Sequence, residues 1–194
     1  MNIGIVVEDE RDAVAYSELI KKIRNDVSNV HPIPCRGSGS LKKEFVHWLR
    51  YFEWFAPGSI HSISKALVIL DSDCSDASVW EERLRTIYLQ SHFAPSFPVR
   101  FHATKCELET WLLADENAIN EVCISRGKNR RIGPAKIEFE SYRPAKELFQ
   151  KRLSDVGLPF DTQVYKEVAA HIDIARITVP CRNFQDFIDK VRIG

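Results

Sequence analysis

The sequence predicts an α/β domain: a mainly parallel sheet with helices on both faces, followed by a helical C-terminal extension. Three observations predict it. Short apolar runs alternate with stretches whose apolar residues recur at three- and four-residue spacings. The alternation runs over about residues 1 to 125 at the spacing of βαβ crossovers, which make parallel sheets covered on both faces. The 194 residues, 44% of them hydrophobic, are enough for one domain with a substantial core but few for two.

Residues 3 to 7, IGIVV, read as a short buried strand ending at Glu8. EDERDAVAYSELIKKIRNDV follows as an amphipathic helix, with Tyr16, Leu19, Ile20, Ile23 and Val27 on one stripe. Asp9 or Asp12 suits its N-cap or first turn. VHPIPC, residues 30 to 35, is an extended segment whose prolines favour an edge or a strand end. RGSGS then leads into a helix from about 41 to 55 carrying Phe45, Trp48, Leu49 and Phe52, which APGS at 56 to 59 breaks.

KALVIL, residues 65 to 70, is the third strand, and SVWEERLRTIYLQ the third helix, opened by Ser78 with Glu81 three residues on, a capping-box pattern. PVRFHA, 98 to 103, is the fourth strand. Thr104 and Glu107 in TKCE form a second such box before a helix over 108 to 122. Residues 125 to 143 lose periodicity and gather Arg126, Lys128, Arg130 and Arg131, as an exposed basic loop or linker does. Beyond them PAKELFQKRLSDVG, QVYKEVAAHIDIARI and NFQDFIDKVRI read as helices, with Val168, Ile172, Ala175, Phe184, Phe187, Ile188 and Val191 as apolar faces. Residues 126 to 194 are therefore expected to pack on the 1 to 125 core as an extension rather than stand alone.

Composition removes several classes. Charged residues make up 28%, and no apolar run approaches the ~20 residues of a membrane helix, so no membrane partner is expected. The N-terminus meets acid within ten residues and has no basic region, which does not suit a signal peptide and suggests the cytoplasm. Lys and Arg total 27 and Asp and Glu 27, so no overall field announces a polyanionic partner. Five scattered cysteines with no C-x-x-C pair argue against a disulfide framework and a zinc site, and read as reduced, mostly buried thiols. The six histidines lie among aromatic and aliphatic neighbours and read as packing or surface.

The chemistry concentrates in LVILDSDCSD. Side chains alternate along a strand, so Asp71 and Asp73 are expected on one side at the carboxyl end of the third strand, where open α/β sheets place their ligand crevice. Two carboxylates so close repel, and Mg²⁺ or Mn²⁺ relieves that in an all-oxygen site. If strands one and three are neighbours, at roughly 4.8 Å, Glu8 converges on the same point. Asp9, Glu10 and Asp76 read as capping and turn acids. Glu109 lies where the fourth strand hands over to a helix at the same edge.

An apolar strand ending in VEDERD followed by one ending in LDSD resembles the Toprim domain of topoisomerases, primases and overcoming-lysogenization-defect nucleases. Over most of the chain, through VEDERDAVAYSELI, PCRGSGSLKK, LVILDSDCSD, CELETWLLAD and CRNFQDFIDKVR, it is similar to a family of small Toprim-like proteins, mostly bacterial and often encoded beside an ATPase in anti-phage systems. The resemblance implies that Glu8 stands for the Toprim glutamate, Asp12 for a second acid of the nuclease branch, Asp71 and Asp73 for the metal-binding Asp-x-Asp, and Glu109 for the acid that opens ETWLLAD. The usual glycine after the first glutamate is Asp9 here.

What it implies is Mg²⁺- or Mn²⁺-dependent cleavage of DNA or RNA by Glu8, Asp71, Asp73 and Glu109, with Asp12 among the metal ligands and Glu8 as ligand or general base. The alternative it leaves is a non-catalytic partner module for an ATPase. Two stretches are candidates for phosphate contact: Arg36, Gly37 and Lys42 around RGSGS ahead of a helix, and Arg126, Lys128, Arg130 and Arg131 in RGKNRR. A response-regulator receiver shares the acids, but its Thr and Lys end different strands, whereas Thr104 and Lys105 are adjacent here. A haloacid-dehalogenase-like phosphatase carries its Asp-x-Asp on the first strand.

Overall fold

In the computed structural model, which describes residues 1–55 and 62–193, four parallel strands form one sheet in the order β2-β1-β3-β4. They are β1 (Asn2–Val7), β2 (Asn29–Pro34), β3 (Lys65–Asp71) and β4 (Val99–Thr104). The helices that link them are α1 (Glu10–Ile23), α2 (Ser38–Glu53) and α3 (Ala77–Gln90). After β4 come α4 (Leu108–Leu113), α5 (Glu116–Ser125), a 3₁₀ turn (Phe139–Ser141), α6 (Ala145–Asp155), α7 (Thr162–His171), α8 (Ile174–Thr178) and α9 (Arg182–Arg192). This is the expected mainly parallel α/β sheet with helices on both faces. The proposed break at APGS lies outside the described residues.

The two central strands show why the sheet is buried on both sides. Ile3, Ile5, Val7, Leu67 and Ile69 point into one cluster with α1, α4, α5, α7 and α9, while Val6, Ala66, Val68 and Leu70 point into another with α2, Leu84 of α3 and Phe101. Gly4 in β1 meets Phe52 of α2 so closely that a Cβ there would lie 2.6 Å from the ring. Only glycine lets the helix ring seat on the strand. α7 packs on α1 and α5, so the C-terminal segment shares the first cluster with the sheet.

β4 is an edge strand in topology, and side chains take up the outward backbone groups at its carboxyl end. Glu81 of α3 accepts from the Ala103 amide at 3.0 Å, and Asn183 of α9 donates to the Ala103 carbonyl at 3.2 Å while accepting from the Lys105 amide at 2.7 Å. Covering an edge this way removes a template for strand addition. Lys65, buried at the start of β3, donates to the carbonyls of Val191 and Ile193 and so satisfies the last turn of α9.

Several local expectations are corrected. Asp76, not Ser78, caps α3, accepting from the Ser78 amide at 2.9 Å, which leaves Glu81 free for the β4 edge. The Thr104–Glu107 box does not form: Thr104 bonds the Tyr16 hydroxyl at 2.6 Å, and Glu107 accepts from the Lys146 amide at 2.9 Å. The helix over 108 to 122 divides because buried Asp115 caps α5 and also accepts from the Asp173 amide at 2.8 Å. Asp173 in turn caps α8, which separates it from α7, exposes Ala175 and buries Ile177. Among the described residues, no helix is long and apolar enough to cross a membrane.

Candidate functional site

β1 and β3 are paired, and their carboxyl ends are tied by a side chain: Glu8 Oε1 accepts from the Asp71 amide at 3.0 Å. Asp71 is the last residue of β3. Beyond it the chain leaves the extended state, with Asp73 at φ 49° and Cys74 at φ 60°. Strand alternation therefore does not set the direction of Asp73, which sits exposed in a left-handed turn after buried Ser72. Asp tolerates that region better than most residues.

The turn is held against the segment after β4. Ser72 N donates to the Thr104 carbonyl at 2.9 Å, Asp73 N to the Cys106 carbonyl at 3.1 Å, and Cys106 N to Ser72 Oγ at 3.2 Å. Cys74 and Cys106 are joined as a disulfide, a correction to the expectation of five reduced thiols. They are 32 residues apart in sequence, and only the adjacency of β3 and β4 brings them together. Cys35, Cys123 and Cys181 are buried free thiols.

Asp12 reaches the same region from the first turn of α1. Asp9 caps that helix by accepting from the Arg11 and Asp12 amides, and the Asp9 amide in turn donates to Asp12 Oδ2 at 3.2 Å. The acid at the usual glycine position is thus consumed as a cap. Arg11 pairs with Asp9 at 3.0 Å and lies over the Phe160 and Tyr165 rings. Glu109 is buried in α4 and accepts from the Tyr165 hydroxyl.

Electrostatics binds these acids into one group. Burial, then repulsion from Asp12, Glu109 and Glu8, holds the Asp71 carboxyl well above the ordinary range. Burial, then Asp9, Glu109 and Glu8, does the same to Asp12. Glu8 is raised by burial and by Asp73 and Asp9, against the Asp71 amide and the pull of Lys42. Tyr16 below them is raised by burial and by Asp71 and Asp12. Carboxylates at the end of β1 and on α1, β3 and α4 are therefore coupled to one another, with Lys42 and Arg11 as the nearby cations. Such a donor set, all oxygen and mutually repelling, fits Mg²⁺ or Mn²⁺.

A different trio brings its ligand atoms closest. Among the described residues, the group whose ligand atoms all lie within 4.8 Å of one another is Glu81, His102 and Asp186, not the strand-end acids. His102 is buried on β4, with Nδ1 3.3 Å from Asp186 and 3.7 Å from Glu81. Burial lowers its basicity, and despite burial Asp186 is held at about 2 by His102 and Lys190. Lys190 Nζ stands 2.6 Å from both carboxylates, so an ammonium already supplies the cation there. In the sequence His102 reads as packing because its two acids lie on helices 21 residues before it and 84 after it.

The basic candidates separate. The Gly37 amide is taken by the Glu8 carbonyl at 2.9 Å, and α2 begins at Ser38, earlier than expected. That places the N-terminus of α2 and exposed Arg36 beside the β1 end. Lys42 sits 3.8 Å over the Trp80 ring and within electrostatic reach of Glu8. Lys105, absent from the sequence candidates, donates to the Ser75 carbonyl at 2.8 Å on the Asp73 turn. Arg126 makes a two-pronged bond to Glu167 at 2.7 and 2.9 Å, which removes it as a free phosphate contact. Lys128, Arg130 and Arg131 are exposed.

The class defined by fold and site is a parallel α/β domain with a carboxylate cluster at the carboxyl edge of its sheet. No family model and no curated protein matches the chain. Among solved structures it is similar to the C-terminal region of the Xanthomonas campestris pv. campestris OLD protein, at 13% identity and a TM-score of 0.44, with 96% of each chain covered. A likeness at that level assigns no residue a role.

Proposed function

We propose that the chain is a metal-dependent phosphodiesterase acting on nucleic acid, with Glu8, Asp12, Asp71 and Asp73 holding Mg²⁺ or Mn²⁺ and Glu109 completing the acidic wall. The observation that carries this reading is the convergence of acids from four elements at the crevice edge, each of Glu8, Asp12 and Asp71 pushed up by burial and mutual repulsion. A fold does not bury like charges together without a compensating partner or role. The ordered set of motifs that resembles Toprim nucleases supports the same chemistry.

When bound, the metal would polarise a phosphate and lower the pKa of a coordinated water. The chain's own groups set the rest. Glu8 spends one oxygen on the Asp71 amide, which fixes its carboxylate and leaves the other oxygen for a metal or for a proton from water. Lys42 and Lys105 stand by the site as cations for a phosphate oxygen. Tyr165 and Arg11 hold the far side, at Glu109 and Asp9.

The test is calorimetric and catalytic. Purified chain should bind Mn²⁺ and cleave DNA or RNA with Mn²⁺ present, and Asp71→Asn should lose both. A wild-type chain that binds no Mn²⁺, or an Asp71→Asn variant that cleaves at the wild-type rate, overturns the reading.

A further inference from the structure

The segment after α5 carries no regular structure over residues 127–138, yet its first half is pinned in shape. Gly127 turns the chain at φ +67°, and the Lys128 amide donates back to the Cys123 carbonyl at 2.8 Å. Asn120 of α5 then clamps both backbone groups of one residue: its Nδ2 donates to the Ile132 carbonyl and its Oδ1 accepts from the Ile132 amide, each at 2.9 Å. Ile132 packs against the core. Arg130 and Arg131 immediately precede this clamp, so the backbone that bears them is fixed.

Opposite lies one face of α6. Leu148, Lys151, Arg152 and Asp155 fall at i, i+3, i+4 and i+7, while Phe149 and Leu153 turn into the core. The two surfaces enclose a concave pocket of about 550 Å³ whose lining includes Arg130, Arg131, Lys151 and Arg152 against a single acid, Asp155.

The guanidinium groups are held by main-chain carbonyls instead of carboxylates. Arg130 donates to the Asp155 carbonyl at 3.1 Å, Arg131 to those of Lys128 and Arg130 at 2.7 Å each, and Arg152 to those of Gly133 and Pro134 at 2.6 and 3.4 Å. None of the four cations forms an ion pair among the described residues. Arg126, Arg176 and Lys190 by contrast each face a carboxylate within 4.0 Å. A carbonyl orients a guanidinium but leaves its full charge, and each head retains further N–H donors for an anion.

We infer that this pocket binds successive backbone phosphates of a nucleic-acid strand. A pocket of 550 Å³ with four cations around it leaves room for more than a lone phosphate, and arginine forks match phosphate oxygens in pairs. The identity of the occupant rests on the phosphodiester reading above. The pocket's unpaired charge does not.

The experiment measures anisotropy of a labelled single-stranded oligonucleotide on the full chain in EDTA, over a range of salt, so that neither metal nor cleavage enters. Lys151→Gln with Arg152→Gln should weaken binding about tenfold or more and flatten the plot of log K against log salt by about 0.7 per lost contact. Arg152→Lys should keep the slope, and Arg126→Gln should leave it unchanged, because Arg126 is committed to Glu167. Circular dichroism checks the fold of each variant.

Wild-type affinity and slope in the double variant overturn the inference. So does capture of inorganic tripolyphosphate with no binding of the oligonucleotide, which would make the pocket a site for free polyphosphate. Should Mn²⁺-dependent cleavage fail while the salt slope responds as stated, the phosphodiesterase reading falls and the pocket stands.

Discussion

Removing charge from the acid group should stabilise the metal-free protein, against the usual direction of buried substitutions. Asp71 is the natural position, since burial and then Asp12, Glu109 and Glu8 raise its carboxyl, while its amide, and not its side chain, bonds Glu8. Asp71→Asn therefore deletes repulsion without deleting that bond. Like charges at the ~4–6 Å over which neighbours shift a carboxyl repel by about 3 kcal/mol at an effective dielectric near 20. Partial protonation already relieves some of this, so about 1–2 kcal/mol should appear, or roughly 2–8 °C in Tm for a chain of this size. Mn²⁺ at a hundred times its Kd adds about 2.7 kcal/mol to whichever protein binds it. Differential scanning fluorimetry should find the variant more stable in EDTA and the order reversed in Mn²⁺. A variant less stable than wild type in EDTA, or an equal Mn²⁺ gain for both, refutes the reasoning.

The pH dependence follows with a fixed sign. Glu8, Asp12 and Asp71 are raised on folding, so their contribution is fully present below the unfolded carboxylate range near 4 and is lost as pH rises through their folded values. The EDTA stability gap between Asp71→Asn and wild type should widen from pH 5 to 8, and Mn²⁺ binding should tighten with pH and release protons, read by calorimetry in buffers of different ionisation enthalpy. Tyr165→Phe leaves buried Glu109 without its hydroxyl donor and should cost about 1–3 kcal/mol in urea unfolding. Alkylation of the denatured, unreduced chain should label three cysteines by mass spectrometry, and five after reduction; five before reduction would exclude the Cys74–Cys106 bond.

What the sequence disclosed depended on range. The strands and their carboxyl ends at Glu8 and Asp71 were legible because a buried strand writes its pattern on consecutive residues. The pairing of β1 with β3, which the convergence of acids required, stood only as a condition in the sequence, because strand order is set by long-range contacts. The side on which Asp73 lies could not be read from strand alternation, because the strand ends two residues before it and a left-handed turn has no alternation to read. Asp115, Cys106 and Glu167 take their roles from partners 58, 32 and 41 residues away. Such pairings leave no trace in local spacing, and they decide which charges remain free.

That last point bears on the chain's neutrality. Equal numbers of acids and bases, 27 and 27, gave no overall field, yet the fold sorts them. Acids gather at the ends of β1 and β3, while Arg130, Arg131, Lys151 and Arg152 stand around one pocket with no carboxylate partner among the described residues. On the proposed reading the two regions need each other. An acid cluster that outweighs its neighbouring cations repels a phosphodiester until a divalent cation enters, so most of the affinity for a strand has to come from elsewhere on the surface. A basic pocket that binds without metal supplies it, and the metal then governs chemistry instead of attachment. Binding in EDTA and cleavage in Mn²⁺ should accordingly separate by mutation: loss of the Lys151 and Arg152 charges should weaken substrate capture, whereas Asp71→Asn should abolish turnover and leave capture in EDTA intact.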